Sequence, residues 1–490
     1  NDTHLQIALP STWYEVQMVV AGKLRRGMTI PGEPFIISGY NEKVAWGMTN
    51  ATWDLVDFYE LDIDGSGNYF LDGQWQPLQP FEKTISVRGG QPVTIQYWRS
   101  HFGPVDTTGM NDRWIAVNWI AQEKSNEGMA FAGLEKAENV EQAYAAVLNF
   151  MQPPQNFILA DNSGNIGLVT AGKASLHRDP AKGVRLGVKA DNKVPFREVH
   201  QVLNHFNPER GWTASANQEH VNHSLSAHLS TRYEASARGR RIQQLMDASE
   251  KLGVEELKQM HLDVVDLEWE LLKPALEKHL TAEQFAHFTG WQGEMVVDKI
   301  APTLFYSFKL TLMDELQKAI HPELKYVPLF QEAYLQVVGN EQLPTHNGSI
   351  STAELVKRSW DASWQKLTEQ LGADAKQWQY GRFHQSAVNH LTRLPQLSIP
   401  LFASPGSNRT LNVASKLPST HAASKRTIIE LTPEGPKAML LVTGGQSGRF
   451  NSANYHDQID HWLHGSYHNA VPAKSFDLSA YPTSIQFTRK

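Results

Sequence analysis

No cysteine occurs among the 490 residues. That absence excludes a thiol nucleophile, a disulfide framework and thiolate metal sites together. It leaves the compartment open, because a chain without thiols does not depend on redox conditions. No apolar run approaches the ~18 residues of a membrane-spanning helix, so no membrane span is expected. Positive charge is in short supply as well. The 45 Lys and Arg against 51 Asp and Glu give a formal net charge of −6, which argues against a nucleic-acid partner. There is no internal repeat and no low-complexity tract. Asn1 is not followed by the basic stretch and apolar core of a secretion signal. Rival catalytic signatures are missing too: no Gly-x-Ser-x-Gly elbow, no phosphate loop and no His-Glu-x-x-His helix.

What is present is a globular composition, 41% hydrophobic with 14 Trp, 14 Tyr and 20 Phe, in a chain too long for one small core. The first part reads as antiparallel β. Runs rich in β-branched and aromatic residues (Trp13–Val20, Phe35–Ser38, Val44–Met48, Phe58–Asp62) are separated by turns such as Asp64-Gly65-Ser66-Gly67. Thr84–Val87 and Gln91–Trp98, joined by Arg88-Gly89-Gly90, predict a hairpin. A helix is expected over Val140–Phe150, then strands over Asn156–Ala160 and Ile166–Thr170. The middle carries helical spacing over Arg238–Ala248, Val254–Met260, Leu267–His279, Leu304–Ile320 and Ser351–Leu371. Strands return over Leu411–Ala414, Thr427–Leu431 and Ala438–Thr443. Strands, then helices, then strands predict one α+β body with a helical insertion: a β-rich core over 1–235, a mainly helical insertion over 236–395, and a return to the core over 396–490.

Several short motifs follow one another along the chain. Asn1-Asp2-Thr3-His4-Leu5 is followed by Leu9-Pro10-Ser11-Thr12-Trp13-Tyr14-Glu15-Val16, Ile30-Pro31-Gly32, Gly39-Tyr40-Asn41, Val44-Ala45-Trp46-Gly47 and Thr49-Asn50. Later come Ser100-His101-Phe102-Gly103-Pro104-Val105, Gly164-Asn165-Ile166-Gly167, Gly211-Trp212-Thr213-Ala214-Ser215-Ala216-Asn217 and Gly444-Gly445-Gln446-Ser447-Gly448. Each is weak alone; together, across nearly the whole chain, they resemble the β-subunit of penicillin acylases, which are N-terminal-nucleophile hydrolases. The resemblance implies an αββα four-layer sandwich of antiparallel sheets. It also implies an amide hydrolase in which an N-terminal Ser is both nucleophile and, through its α-amine of pKa ~8, base.

On that resemblance Asn217 is the side-chain donor to the oxyanion and Asn50 the backbone N–H donor. His4 stands beside the nucleophile and orients it or its water. Arg238 organises the pocket, although Arg240 and Arg241 are near enough for a slip of register to exchange them. Leu5, Ser38, Met48 and Gln155 fall on the acyl pocket, a set unlike the aromatic lining of phenylacetyl-specific enzymes. Asp54, Val56, Asp57 and Pro180 fall on a structural Ca²⁺ site, where hard oxygen ligands suit the ion; no organic cofactor is implied. The bland alternatives are a loop asparagine, a strand end, a solvated helix face and a charged turn. His220, His223, His228, His384 and His390 are expected to be polar-loop or core residues. The implied partners are an α-subunit cut from the same precursor and a small N-acyl amide, with a periplasmic or secreted location.

The chain also departs from the pattern. The resemblance places the nucleophilic Ser about twenty residues ahead of Asn1, and Asn1 itself has no hydroxyl or thiol with which to attack. The sequence therefore reads as part of a longer β-subunit, as a nicked chain, or as a dead homologue. Between Asp179 and Asn207 the run Leu186-Gly187-Val188-Lys189-Ala190-Asp191 replaces the proline-rich loop of relatives. Two functions stay open: acylase acting on a penicillin-type β-lactam, an N-acyl homoserine lactone or another N-acyl amide, and a non-catalytic homologue that binds such ligands.

Overall fold

The computed structural model describes residues 1–470 apart from 111–112, 177–182, 200–203, 220–227, 231–232, 250, 321, 323–336, 338 and 347. Pro180, His220 and His223 lie outside the described residues. The chain forms two compact units, one from Asn1–Gly47 with Ala235–Lys490 and one from Met48–Glu234.

The first unit opens with β1 (Asp2–Gln6) and then a meander of β2 (Tyr14–Val20), β3 (Lys23–Thr29) and β4 (Ser38–Asn41), each antiparallel to the next. Strand β5 (Val44–Asn50) pairs with β4 and carries the chain into the second unit. The meander depends on two glycines facing each other across β3 and β4. A Cβ on Gly39 would stand 2.3 Å from the Arg26 carbonyl oxygen and 2.7 Å from the Gly27 Cα. Both obstacles are backbone, so neither can swing away. Gly39→Ala is expected to lower stability by about 2 kcal/mol or more, seen as a lower Tm. The expected strand at Phe35–Ser38 starts only at Ser38. The Ile30–Glu33 turn delays it, and Ile36 and Ile37 are buried without being part of a strand.

The second unit is β-rich. Its largest sheet contains β6 (Val56–Glu60), β7 (Gln79–Ile85), β8 (Val93–Ser100), β9 (Gly103–Met110) and β10 (Arg113–Trp119). The predicted hairpin is β7–β8, with Ile85 opposite Val93 and Phe81 stacked on Tyr97. Helix α1 (Val140–Val147) starts where the Asn139 side chain accepts the Gln142 N–H. A second hairpin follows, β11 (Gln155–Asp161) with β12 (Ile166–Ala171), closed by the Asp161–Gly164 turn.

Back in the first unit the chain is helical: α2 (Ala237–Asp247), α3 (Glu268–His279), α4 (Ala301–Ile320) and α5 (Thr352–Leu371). Helix α5 begins at Ser351, whose hydroxyl accepts the Glu354 N–H, and stops at Gly372 with φ +94°. Its apolar residues at three- and four-residue spacing, Leu355, Val356, Trp360 and Leu367, are buried with Phe305, Phe308 and Leu312 of α4 and Trp269 of α3 in one core. The unit closes with β13 (His421–Thr432), antiparallel to β1 on one side and to β14 (Gly435–Val442) on the other.

Candidate functional site

In the second unit, Asn50 ends β5 and its carbonyl is held twice. The Asn217 Nδ2 donates to it at 2.9 Å and the Asn156 Nδ2 at 3.2 Å. The Gln155 Nε2 donates to the Asn50 side-chain oxygen at 3.0 Å, so Gln155, buried at 6% exposure, is tied to Asn50. Asn217 adopts φ +67°, a left-handed conformation that asparagine tolerates better than most residues. Its own N–H donates to the Ser215 hydroxyl at 3.3 Å, and that hydroxyl also accepts from Thr49 at 2.8 Å. Gly-Trp-Thr-Ala-Ser-Ala-Asn therefore returns along the loop to the end of β5. Asn217, Asn50 and Gln155 come together, with Met48 half-buried two residues before Asn50 on the same strand. An amide nitrogen carries two N–H donors, so the bond to the Asn50 carbonyl fixes the plane in which the second one points.

In the first unit, β1 lies against β13 with an irregular register between Thr3 and His4. Such a bulge re-aims side chains, and here Ser424 fills it by donating to the Thr3 carbonyl at 2.7 Å. His4 Nε2 stands 3.5 Å from an Asp2 carboxylate oxygen, which Arg426 approaches at 3.9 Å. Burial pushes the Asp2 carboxyl up, but His4 and Arg426 outweigh it and hold the group well below the usual carboxylate range. Burial lowers the pKa of His261 to about 3, and its Nδ1 lies 2.6 Å from the Tyr467 hydroxyl. Of the three neighbouring arginines, Arg240 pairs with Glu270 and Arg241 with Asp263, whereas Arg238 is buried at 7% exposure in the first turn of α2.

Ser38 is 1% exposed. Its hydroxyl faces inward, donating to Asn1 Oδ1 at 3.3 Å and accepting from Lys425 Nζ at 3.1 Å. Leu5 is half-buried on β1. Lys425 is fully buried and also donates to Asn1 Oδ1 at 2.6 Å. Burial pushes its ammonium down to about 7. Between that value and the ordinary lysine range the unfolded chain holds a proton that the folded chain has released, so stability rises with pH through this window. Lys425→Met is expected to remove a rise of a few kcal/mol between about pH 7 and 9.5, read as the difference between the pH–stability curves of variant and wild type.

Of the residues assigned to calcium, Val56 and Asp57 open β6, Asp54 precedes them, and Pro180 lies outside the described residues. The Asp57 Oδ2 accepts from the Ser175 hydroxyl at 3.0 Å, and its other oxygen lies 4.0 Å from the Arg185 guanidinium. Asp54 Oδ1 accepts the Val56 N–H at 3.3 Å, while Ca²⁺ needs about six to eight oxygens. Among the described residues no three His, Asp or Glu side chains gather as a metal group. His384 belongs to the core, stacked on Tyr380 at 4.8 Å with Nδ1 2.9 Å from the Ser404 carbonyl.

The penicillin amidase family model matches residues 1–474. The chain belongs to the penicillin amidase family. It is 24% identical over 95% of its length to the acyl-homoserine lactone acylase QuiP of Pseudomonas aeruginosa, covering 64% of that protein. To the penicillin G acylase of Escherichia coli it is 28% identical over 42% of its length, covering 25% of that protein. The chain thus spans just under two thirds of the length of the QuiP relatives it matches. A thermostable penicillin G acylase from Alcaligenes faecalis superposes with TM-score 0.74 at 16% identity, covering all of this chain and 96% of the other, which shows the fold. The α+β class with antiparallel sheets is that of this family. Among the described residues no helix is long and apolar enough to cross a membrane. Asn156 and Thr170 stand in none of the motifs, and Thr49 and Ser215 stand in motifs without a role of their own. The signal that could have found Asn156 is a pair of uncharged polar residues, Gln155 and Asn156, opening a buried strand whose next four residues are apolar.

Proposed function

We propose that this amidase-family chain is the larger part of an acylase that hydrolyses the amide of an N-acyl amine, with an N-acyl homoserine lactone or a penicillin-type β-lactam as substrate. The observation that carries the reading is the convergence of the Asn217 amide on Asn50 in a chain that matches the family over 1–474. A serine hydroxyl from outside this chain adds to the amide carbon. The Asn50 N–H and the Asn217 amide face the negative charge that develops on the carbonyl oxygen. The C–N bond breaks, the amine leaves with a proton, and water releases the acid from the acyl-enzyme. In the first unit, the roles carried over are His4, steadied by Asp2, orienting the nucleophile or water, Arg238 as a supporting residue, and Leu5 and Ser38 as acyl-side residues. In the second, Met48 and Gln155 take the acyl-side role beside Asn50.

An α-subunit from the same precursor and export to the periplasm or medium belong to the same reading. Calcium, implied for Asp54, Val56, Asp57 and Pro180, belongs to this reading as a structural ion and takes part in no step. Sequencing the N-terminus of the processed catalytic chain from the full-length gene tests the proposal. Serine is expected there. Any residue without a hydroxyl or thiol would overturn it and favour a ligand-binding homologue.

A further inference from the structure

We infer that Asn156 is a positioning residue that locks both oxyanion donors into one frame. The inference rests on the oxyanion reading of Asn50 and Asn217. Asn156 lies on β11, is 1% exposed, and commits both ends of its side chain. Its Nδ2 reaches the Thr49 hydroxyl at 3.3 Å, the Asn50 carbonyl at 3.2 Å and the Ser215 hydroxyl at 3.1 Å. Its Oδ1 accepts the Thr170 hydroxyl at 2.6 Å from the neighbouring strand β12. The contacts to Thr49 and to the Asn50 carbonyl flank the Asn50 N–H, so the peptide carrying that donor is held from both sides. The contact to Ser215 reaches the other donor, because Ser215 accepts the backbone N–H of Asn217 at 3.3 Å. Asn217 and Asn156 also share the same Asn50 carbonyl, using both of its lone pairs.

One buried amide therefore joins the strand end, the Asn217 loop and β12. A buried amide with every donor and acceptor engaged is costly to disturb, and the cost appears as lost geometry. The chemistry asked of Asn156 is indirect: it touches no reacting atom and sets where the two donors point. Aspartate at the same volume would put oxygens against the Asn50 carbonyl and the Ser215 hydroxyl, reversing the donors. Thr170→Val would leave the amide in place and free its anchored end.

In the full-length processed enzyme, Asn156→Asp is expected to lower kcat by roughly 100-fold with KM within about threefold, and Thr170→Val by roughly five- to tenfold. In an Asn217→Ala background, Asn156→Asp should cost roughly tenfold rather than 100-fold, because one of the two donors it positions has gone and only the Asn50 N–H remains to be misplaced. Equal losses in both backgrounds would overturn the inference. So would an Asn156→Asp enzyme of wild-type kcat. If Asn156→Asp does not fold, Thr170→Val decides, and an unchanged kcat there overturns the inference. A wild-type enzyme that cleaves no N-acyl amide would overturn the acylase reading instead.

Discussion

Replacing Asn217 by alanine is expected to reduce kcat by roughly 10²–10³, with KM little changed. The loss follows from where its amide sits. One N–H is fixed on the Asn50 carbonyl at 2.9 Å, which pre-aims the other before substrate arrives. A donor that needs no reorganisation at the moment of reaction contributes about 3–4 kcal/mol to the transition state and little to the ground state. Alanine brings a second effect, because φ +67° strains a residue with a Cβ by about 1 kcal/mol. Asn217→Gly separates the two, since glycine accepts that conformation freely and still lacks the amide. Equal losses of kcat in the two variants, with a lower Tm only in the alanine variant, assign the effect to the donor. A glycine variant with full activity would remove Asn217 from the mechanism.

The largest stability effect is expected far along the chain, in the helical part of the first unit. Lys309 on α4 is 3% exposed, between Asp266 at 2.6 Å and Glu268 at 3.0 Å, which are 0% and 1% exposed. Arg409 approaches the other Glu268 oxygen at 2.9 Å, and the Ser407 hydroxyl donates to Asp266 at 2.8 Å. Two cations and two carboxylates balance with their charges out of water. Lys309→Met leaves one buried carboxylate without a cation and should cost about 3–5 kcal/mol, measured as a fall in Tm. Adding Asp266→Asn should recover part of that loss, because the remaining Glu268–Arg409 pair is again neutral. A double variant no more stable than the single one would show that packing, rather than charge, sets the cost.

The fold was legible where pattern and packing agree. The β7–β8 hairpin, the β11–β12 pair and helices α3 to α5 follow from alternation, turn residues and three- and four-residue spacing. Strand β13 was legible only from Thr427 onward, because Ser424-Lys425-Arg426 reads as a polar break. In the structure those residues are buried strand, with Arg426 donating to the Trp462 carbonyl and to Asn412. A buried strand that carries a lysine and an arginine breaks the local rule, as strands beside functional groups do. The expected strand at Leu411–Ala414 shrinks to Ala414–Ser415, since Thr410 and Asn412 spend their polar groups on the Ser407 loop and Arg426.

The proposed donors could be named from the sequence, and the residues that hold them could not. Asn217 and Asn50 stand in motifs whose order carries the family, so they could be named from sequence. Asn156 and Thr170 act through contacts that form only when β11 and β12 pair and the Asn217 loop returns to β5. No spacing in the sequence encodes that meeting. Arg238 illustrates the intermediate case: three arginines share one helical turn, and burial separates it from two that are spent on Glu270 and Asp263.

The most direct test of the acylase reading is product analysis with the full-length processed protein and an N-acyl homoserine lactone. Release of the free fatty acid and of homoserine lactone in equal amounts, slowed roughly 10²–10³-fold in Asn217→Gly, is the predicted result. An intact amide after prolonged incubation, or opening of the lactone ring with the acyl chain still attached, would contradict it.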